Sequence, residues 1–154
     1  MRNTTKQHQI DITYMKMAII WSELSHATRK KVGALIVKNN TIIADGYNGT
    51  PSGFENECEE AVYDDAGKFT GYQTKWYVLH AESNALAKVA KSTQSSDGST
   101  LYITYSPCRE CSKLILQSGI SRLVYLEEYR DTLGLDVLRK AGVEVKKIDL
   151  PTND

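Results

Sequence analysis

Two short segments constrain this chain more than any other feature of its sequence. The first is His80-Ala81-Glu82, and the second is Pro107-Cys108-Arg109-Glu110-Cys111. An imidazole and two thiols are ligands that zinc prefers, and a site with three protein ligands keeps its fourth tetrahedral position open for water. The chain must therefore fold so that two segments far apart in the sequence meet at one ion.

The carboxylate of the first segment has a separate role. Glu82 follows His80 by two residues, where it can exchange protons with a water at the ion rather than join the ligands. The order H-x-E and then P-C-x-x-C is the known signature of zinc-dependent deaminases. We therefore predict that His80, Cys108 and Cys111 bind one catalytic zinc ion per subunit and that Glu82 is the catalytic proton shuttle.

Other interpretations of these residues stay open. A lone C-x-x-C can be a redox pair or part of a structural zinc site. Cys58 could join His80, Cys108 and Cys111 in a closed Cys₃His structural site, although this would leave Glu82 without a role. A non-catalytic binding module held together by zinc is the alternative from a different class of protein. We expect His8 and His26 to be solvated or structural.

The bulk composition is that of one globular domain, which we expect to span residues 1–154. The chain carries 19 basic and 19 acidic residues, and the resulting net charge of zero argues against a nucleic-acid partner. No apolar run reaches the roughly 18 residues that span a membrane, and Met1–Asp11 lacks the apolar core of a secretory signal. Three cysteines, two of them with metal spacing, favour the reducing cytoplasm.

Hydrophobic periodicity predicts an α/β protein. Helices are expected over 10–24, 80–91, 108–118 and 132–141, and strands over 32–37, 41–44, 100–105, 122–126 and 143–148. We expect a loop over 45–53 and irregular structure over 55–74. Alternating strands and helices indicate a layered sheet with crossover connections.

This organisation places the metal ligands at the beginnings of helices. His80 opens one predicted helix, and Cys108 opens the next. The partial positive charge at a helix amino terminus stabilises a thiolate there. Two helix starts at one end of a sheet can converge on a single ion.

In order and spacing, these motifs resemble the cytidine deaminase-like superfamily, and more closely its deoxycytidylate (dCMP) deaminases. The resemblance runs from about residue 14 to residue 148, and it also includes Lys31–Ala34, Gly46–Gly53 and Gln117–Ile120. It implies a three-layer α/β/α fold with a central mixed sheet of about five strands. It also implies a hydrolase that converts dCMP to dUMP and ammonia, which supplies thymidylate synthesis.

The resemblance further implies roles for individual residues. Asn48 would hydrogen-bond the sugar, Tyr129 would line the pyrimidine pocket, and Ala81 would contact the substrate. The residues implied for an allosteric nucleotide are Tyr47, Asn48, Gly49, Thr50 and Gly53. Proteins of this kind are typically homohexamers, activated by dCTP and inhibited by dTTP with magnesium. Since Cys58 is the only spare cysteine, we predict no second zinc.

Some substrate and effector contacts rest on the residue types alone. The run Arg29-Lys30-Lys31 is either a solvated face, as most charge runs are, or includes a phosphate ligand. Arg29 is the best phosphate candidate of the three, because its guanidinium fork matches phosphate geometry. Acidic residues after the glycine-rich loop could hold magnesium with a triphosphate, or could be a solvated surface. They are Glu55, Glu57, Glu59 and Glu60. Deamination of cytidine, deoxycytidine or a base in a nucleic acid is the alternative activity.

Overall fold

Strands and helices alternate along the chain and build a mixed sheet covered on both faces. The structure is a computed structural model that describes residues 2–152; Met1, Asn153 and Asp154, at the ends of the predicted domain, lie outside the described residues. The helices are α1 (Arg2–Ser22), α2 (Ala81–Ala90), α3 (Arg109–Gln117) and α4 (Leu133–Lys140). The strands are β1 (Gly33–Lys38), β2 (Thr41–Tyr47), β3 (Glu59–Tyr63), β4 (Phe69–Thr74), β5 (Thr100–Tyr105), β6 (Arg122–Glu127) and β7 (Glu144–Lys147).

The central sheet has five strands in the order β2-β1-β5-β6-β7. β1 runs antiparallel to both β2 and β5, whereas β6 runs parallel to β5 and β7. Parallel neighbours need crossover connections, and α3 and α4 supply them. The expected mixed sheet of about five strands is therefore confirmed.

Alternating side chains on the central strands divide the core into two layers. Ala34 and Ile36 of β1 pack in one cluster with residues of α2, α3 and α4. Leu35 and Val37 pack in a second cluster with Met15 and other residues of α1. Because successive strand residues point to opposite faces, β1 is covered on both sides. The three-layer α/β/α arrangement is confirmed.

Two predicted element boundaries differ from the structure by three or more residues and were wrong, whereas the others lie within two residues. Helix α1 begins at Arg2 rather than Ile10, because its polar first half is supported by local side-chain bonds such as that from Gln7 Nε2 to Asp11 Oδ1. Strand β2 continues to Tyr47, so the predicted loop begins three residues later than expected.

Within residues 2–152, no helix has the combined length and apolar character needed to cross a membrane.

The stretch predicted to be irregular, 55–74, contains an antiparallel hairpin. Strands β3 and β4 pair with each other in a separate two-stranded sheet. Asp64 Oδ1 accepts the backbone N–H groups of Ala66 and Lys68, and Gly67 has a φ of 78°, so the turn between the strands is well defined. These strands are largely exposed, and their apolar residues, Ala61–Tyr63, Phe69 and Tyr72, do not alternate with polar ones in the way that predicts a strand.

A buried acid fixes α1 to the sheet. Asp11 is fully buried, and both its carboxylate oxygens accept bonds from the guanidinium of Arg122, each 2.7 Å long. Tyr102 donates to it at 2.7 Å and Lys146 lies 3.4 Å away. Burial alone would raise the pKa of the Asp11 carboxyl, but the bonds from Arg122, Tyr102 and Gln7 outweigh it and lower that pKa to about 2.

We expect Asp11→Asn to lower the free energy of unfolding by about 3–5 kcal/mol, because it removes the buried counter-charge of the largely buried Arg122 guanidinium and leaves only the exposed Glu144. Urea unfolding at pH 7 measures this. Glu144→Gln is the matched control, since Glu144 pairs with the same guanidinium at 3.2 Å but its side chain is 65% exposed. It should cost under about 1 kcal/mol.

The pH dependence of this interaction has a defined sign. The folded pKa of Asp11, about 2, lies below its ordinary value of 3.8, so the stabilisation is complete above pH 3.8 and is lost as pH falls toward 2. Asp11→Asn should abolish that part of the acid dependence. Equal losses of stability in Asp11→Asn and Glu144→Gln would contradict this assignment.

Candidate active site

His80 and Cys108 each occupy the N-cap position of a helix, as the sequence predicted. His80 precedes α2 with φ −75° and ψ 158°, and Cys108 precedes α3 with φ −70° and ψ 172°. Cys108 Sγ also accepts the backbone N–H of Cys111 at 3.4 Å. This is the usual bond of an N-cap side chain, made here by sulfur. Both helices thus begin with a side chain that can bind a metal.

The imidazole and the two thiols lie together. His80 Nδ1 is 3.6 Å from Cys108 Sγ and 3.4 Å from Cys111 Sγ, and the three ligand atoms all lie within 4.8 Å of one another. Zinc–sulfur bonds of about 2.3 Å and a zinc–nitrogen bond of about 2.0–2.1 Å at tetrahedral angles place sulfur and nitrogen about 3.6 Å apart. Both nitrogen–sulfur distances therefore fit a tetrahedral zinc ion. None of the three cysteines of the chain forms a disulfide bond.

Charge in the cluster also suits a cation. The hydrogen bond from the Cys111 thiol, together with that from His80, lowers the pKa of the Cys108 thiol to about 3. The same pairing with Cys108 raises the pKa of the Cys111 thiol. One sulfur is therefore already a thiolate near neutral pH, in a partly buried position where a bound cation would neutralise it.

Glu82 lies beside this cluster and is buried. It belongs to the first turn of α2 and is 3% exposed. Burial raises the pKa of its carboxyl group, and Cys111 forms a side-chain hydrogen bond with it. A carboxyl group with a raised pKa can accept and donate a proton near neutral pH, as general acid–base catalysis requires.

Two glycines permit the close packing that brings the helix starts together. A Cβ atom at Gly46 of β2 would lie 2.2 Å from the carbonyl oxygen of Ala81 in α2. A Cβ atom at Gly134 of α4 would lie 2.5 Å from Ser112 Oγ and 3.0 Å from the carbonyl oxygen of Cys108. Any larger residue at either position would displace a helix start that carries a candidate ligand.

The cluster opens into a cavity of about 420 Å³. His80 and Cys108 of the cluster line this cavity, and so do all four predicted substrate contacts: Arg29, Asn48, Ala81 and Tyr129. The other lining residues are Ala27, Lys30, Val32, Cys58, Glu59, Thr74, Val78, Glu82, Tyr105 and Ser106. The structure therefore brings the predicted substrate contacts and the predicted catalytic residues to one pocket.

Asn48 has a structural role besides facing the pocket. Its Oδ1 accepts the N–H of Val32 at 2.8 Å, and its Nδ2 donates to the carbonyl oxygen of Lys30 at 2.7 Å. An amide side chain can donate two hydrogens and accept at two lone pairs, so one of each stays available for a ligand hydroxyl. Asn48 thus holds in place the basic segment Arg29–Lys31, which precedes β1.

Tyr129 is held at the pocket by its neighbours. Its backbone N–H donates to Ser106 Oγ at 2.7 Å, and its ring meets that of Tyr105 edge to face at 5.5 Å. Arg109, inside the C-x-x-C segment, forms a 2.6 Å ion pair through Nε with Asp131 Oδ2. The segment that carries Tyr129 is therefore tied directly to the residue after Cys108.

Arg29 is the free basic group of the pocket. Among the described residues, no carboxylate lies within 4 Å of its guanidinium. Lys30, by contrast, pairs with Glu127 and lies 4.8 Å over the ring of Tyr105. The preference for Arg29 as a phosphate ligand is consistent with this difference.

Of the residues implied for an allosteric nucleotide, only Asn48 lines the cavity. Gly49 exchanges two backbone bonds, of 3.0 and 2.8 Å, with Leu79, the residue before His80. Thr50 Oγ1 donates to the carbonyl oxygen of Glu55 at 2.6 Å. Tyr47 ends β2, and Gly53 has a φ of 88° with open space around it. The loop is therefore bonded to the chain just before a candidate metal ligand.

The acidic residues after this loop are largely engaged by the protein itself. Glu55 accepts bonds from Lys75, at 3.1 Å, and from Tyr77. Gln73 donates to Glu60 at 3.1 Å. In the part of the chain that the structure describes, the only group of three or more acidic, His or Cys ligand atoms within 4.8 Å is His80, Cys108 and Cys111. The structure thus offers no preformed carboxylate cluster among these glutamates.

Cys58 lies outside the three-ligand group, contrary to the closed Cys₃His alternative. Its buried thiol donates to the carbonyl oxygen of Asn56 at 3.6 Å, and burial raises its pKa. Cys58 nevertheless lines the cavity, as do Glu59 and Thr74 of the hairpin. Sequence patterns missed these contacts, because they arise only when the hairpin folds against the pocket.

Comparison with known proteins agrees with this geometry. A family model described as "Cytidine and deoxycytidylate deaminase zinc-binding region" matches residues 8–127. The deoxycytidylate deaminase of Enterobacteria phage T4 is 35% identical over a gapped alignment of 167 positions, which covers 86% of each chain. The human deoxycytidylate deaminase is 33% identical over a gapped alignment of 141 positions, which covers 87% of this chain and 76% of the human one.

A solved structure is also similar. The dCMP deaminase of cyanophage S-TIM5, in complex with dCMP and dUMP, is 50% identical, covers 91% of this chain and 97% of its own, and superposes with a TM-score of 0.79. The fold and the His-Cys-Cys cluster are those of the cytidine deaminase-like class. The chain belongs to the cytidine and deoxycytidylate deaminase family. The resemblance inferred from the motifs is confirmed.

We expect Gly46→Ala to weaken zinc retention and to lower the free energy of unfolding by about 1–3 kcal/mol, because the new methyl would overlap the backbone of α2. Zinc content after dialysis and thermal unfolding measure the two effects. Gly49→Ala is the matched control, since a Cβ atom there meets only the ring of Tyr47, at 3.9 Å. Full zinc retention and native stability in the Gly46 variant would show that the close approach is not required.

Proposed function

We propose that this protein catalyses the hydrolytic deamination of dCMP, in which dCMP and water give dUMP and ammonia. The observation that carries the proposal is one pocket lined by a metal-binding cluster, a buried carboxyl group and a free guanidinium. Membership of the deaminase family and the 50% identity to a dCMP deaminase support it. The product would supply thymidylate synthesis.

His80, Cys108 and Cys111 would hold the zinc ion, one per subunit. A zinc ion with three protein ligands binds a water at its fourth position and lowers the pKa of that water to about 7. As thiolates the two sulfurs would carry a charge of about −2, which with a neutral imidazole would offset the charge of the ion. These residues would hold the ion close to Glu82.

Glu82 would move the protons of the reaction. Its carboxylate would accept a proton from the water whose oxygen bonds to C4, and the resulting acid would donate that proton to N3 of the pyrimidine. The carboxylate would then take the remaining proton of the new hydroxyl group and pass it to the amine, so that the C4–N bond breaks and ammonia leaves. Its burial and raised pKa suit both directions of transfer.

Residues around the cavity would orient the nucleotide. Asn48 would bond the sugar through its remaining amide hydrogen and lone pair, and Tyr129 would pack against the pyrimidine. Ala81, buried at the start of α2, would present its backbone to the base. The guanidinium of Arg29 would bind the phosphate, where its paired N–H donors match two phosphate oxygens.

We expect Glu82→Gln to lower the rate of ammonia release from dCMP by at least about 10²-fold, because amide nitrogen cannot shuttle a proton. Zinc content and the far-ultraviolet circular dichroism spectrum should stay as in the unmodified protein. Glu110→Gln is the matched control, since Glu110 lies in the C-x-x-C segment but pairs with Lys113 at the surface. If Glu82→Gln retained full activity, the proposed mechanism would be wrong.

The choice of substrate is tested by assaying ammonia release from dCMP, deoxycytidine, dCTP and an adenosine-containing RNA, each with and without a zinc chelator. The proposal expects dCMP to be the preferred substrate. Preference for deoxycytidine would favour a nucleoside deaminase, and turnover of RNA would favour a nucleic-acid deaminase. No release from any of them would favour a non-catalytic zinc-binding module.

We further propose regulation and assembly typical of the deoxycytidylate deaminases. Residues 1–154 would form a single domain that assembles into a cytoplasmic homohexamer, with neither nucleic acid nor membrane as a partner. The loop of Tyr47, Asn48, Gly49, Thr50 and Gly53 would bind dCTP as activator or dTTP as inhibitor, with magnesium on the triphosphate. The two bonds between Gly49 and Leu79 support this idea, because they link the loop to His80.

The regulatory proposal predicts that dTTP with magnesium shifts the dCMP saturation curve to higher concentration, and that dCTP shifts it to lower concentration. Initial rates across a dCMP titration measure both shifts. The same titration without magnesium is the control. A curve that neither nucleotide moves would contradict the proposed regulation but would leave the proposed reaction intact.

A further inference from the structure

The lining of the pocket includes an anion-binding position that one of the protein's own side chains occupies. Glu59 Oε1 accepts the backbone N–H of Thr28 at 2.9 Å and that of Arg29 at 3.1 Å. Successive backbone N–H groups that converge on one point form a nest that binds anions. The carboxylate of Glu59 is therefore bound in a position suited to a ligand's anionic oxygen.

The surroundings of this position favour a more highly charged ligand than one carboxylate. Arg29 contributes a backbone N–H to the nest, and within residues 2–152 its guanidinium has no carboxylate partner within 4 Å. Arg29, Lys30 and Glu59 all line the same cavity as the metal-binding cluster. A phosphate monoester carries about −1.5 to −2 at pH 7, so it can use both the nest and the guanidinium.

Glu59 also connects the hairpin to the rest of the protein. It is the first residue of β3, and β3 pairs only with β4. A backbone bond of 2.8 Å from Lys75 to Cys58 closes the base of the hairpin. An isolated two-stranded hairpin is marginally stable in water. The bonds from Thr28 and Arg29 to Glu59 therefore help to hold the hairpin against the pocket.

We propose that Glu59 is a built-in competitor for the ligand's phosphate group. In the free protein its carboxylate fills the nest beside Arg29, and a phosphate-bearing ligand must displace it. The proposal rests on the proposed function, in which the phosphate of the nucleotide binds near Arg29. Competition of this kind weakens the binding of every phosphorylated ligand, including inorganic phosphate and the nucleotide product, and so it favours product release.

The experiment measures the dissociation constant of inorganic phosphate for the zinc-loaded protein by calorimetry. Glu59→Gln keeps the shape of the side chain but removes its charge. We expect this dissociation constant to fall about tenfold, the size of one charge-assisted hydrogen bond. The KM for dCMP should fall in the same direction. An unchanged or larger dissociation constant in this variant would overturn the proposal.

Two further variants separate occupancy of the nest from long-range charge. Glu60→Gln removes the same charge from the next position of β3, whose side chain points to the opposite face and bonds to Gln73. Its dissociation constant for phosphate should stay within about twofold of the unmodified value. Glu59→Asp keeps the charge but shortens the reach, and it should also tighten phosphate binding. If Glu59→Asp behaved as the unmodified protein while Glu59→Gln did not, simple charge repulsion would replace the proposal.

This test is independent of turnover. Calorimetry with inorganic phosphate reports on the nest and Arg29 whether or not the protein deaminates dCMP. Failure of the unmodified protein to release ammonia from dCMP would contradict the proposed function alone. Failure of Glu59→Gln to tighten phosphate binding, in a protein that does deaminate dCMP, would contradict the competitor proposal alone.

Discussion

The meeting of two helix starts above the sheet is the contact on which the rest of the site depends. α2 and α3 bury Ala85 and Ile115 in the same cluster of apolar residues, which fixes both helices on one face of the sheet. His80 and Cys108 are the N-caps of these helices, so the packing of the helices brings their side chains within 3.6 Å of each other. Burial of ordinary apolar side chains thus positions the ligand atoms.

Much of this could be predicted from the sequence, for a physical reason. Few residue types bind zinc, so His80, Cys108 and Cys111 could be recognised as candidate ligands from their residue types and spacing. The position of Glu82 two residues after His80 identified it as the candidate proton shuttle. The helices could be predicted because each buries one face, which imposes a period on the sequence. The central strands could be predicted because both of their faces are buried, which leaves short apolar runs. The hairpin of β3 and β4 could not, since its exposed strands carry no such period. Glu59 is the first residue of that hairpin, so its contacts with Thr28 and Arg29 could not be predicted either.

Two buried acids on opposite faces of the sheet show how surroundings decide the role of a carboxyl group. Asp11 is surrounded by donors, with Arg122 bonded to both oxygens, and its pKa is lowered to about 2. Glu82 is equally buried but has too few donors to offset burial, and its pKa is raised. The first is fixed as an anion that holds α1 to the sheet. The second can change its protonation state, which is the property of a catalytic acid or base.

The most direct test of the central claim is metal analysis and reconstitution of the purified protein and of its Cys58→Ser variant. The account predicts one zinc ion per chain in both proteins. It also predicts that a chelator abolishes ammonia release from dCMP and that added zinc restores it. Metal-free protein with full activity, a disulfide between Cys108 and Cys111, or loss of zinc from the Cys58 variant would contradict the account.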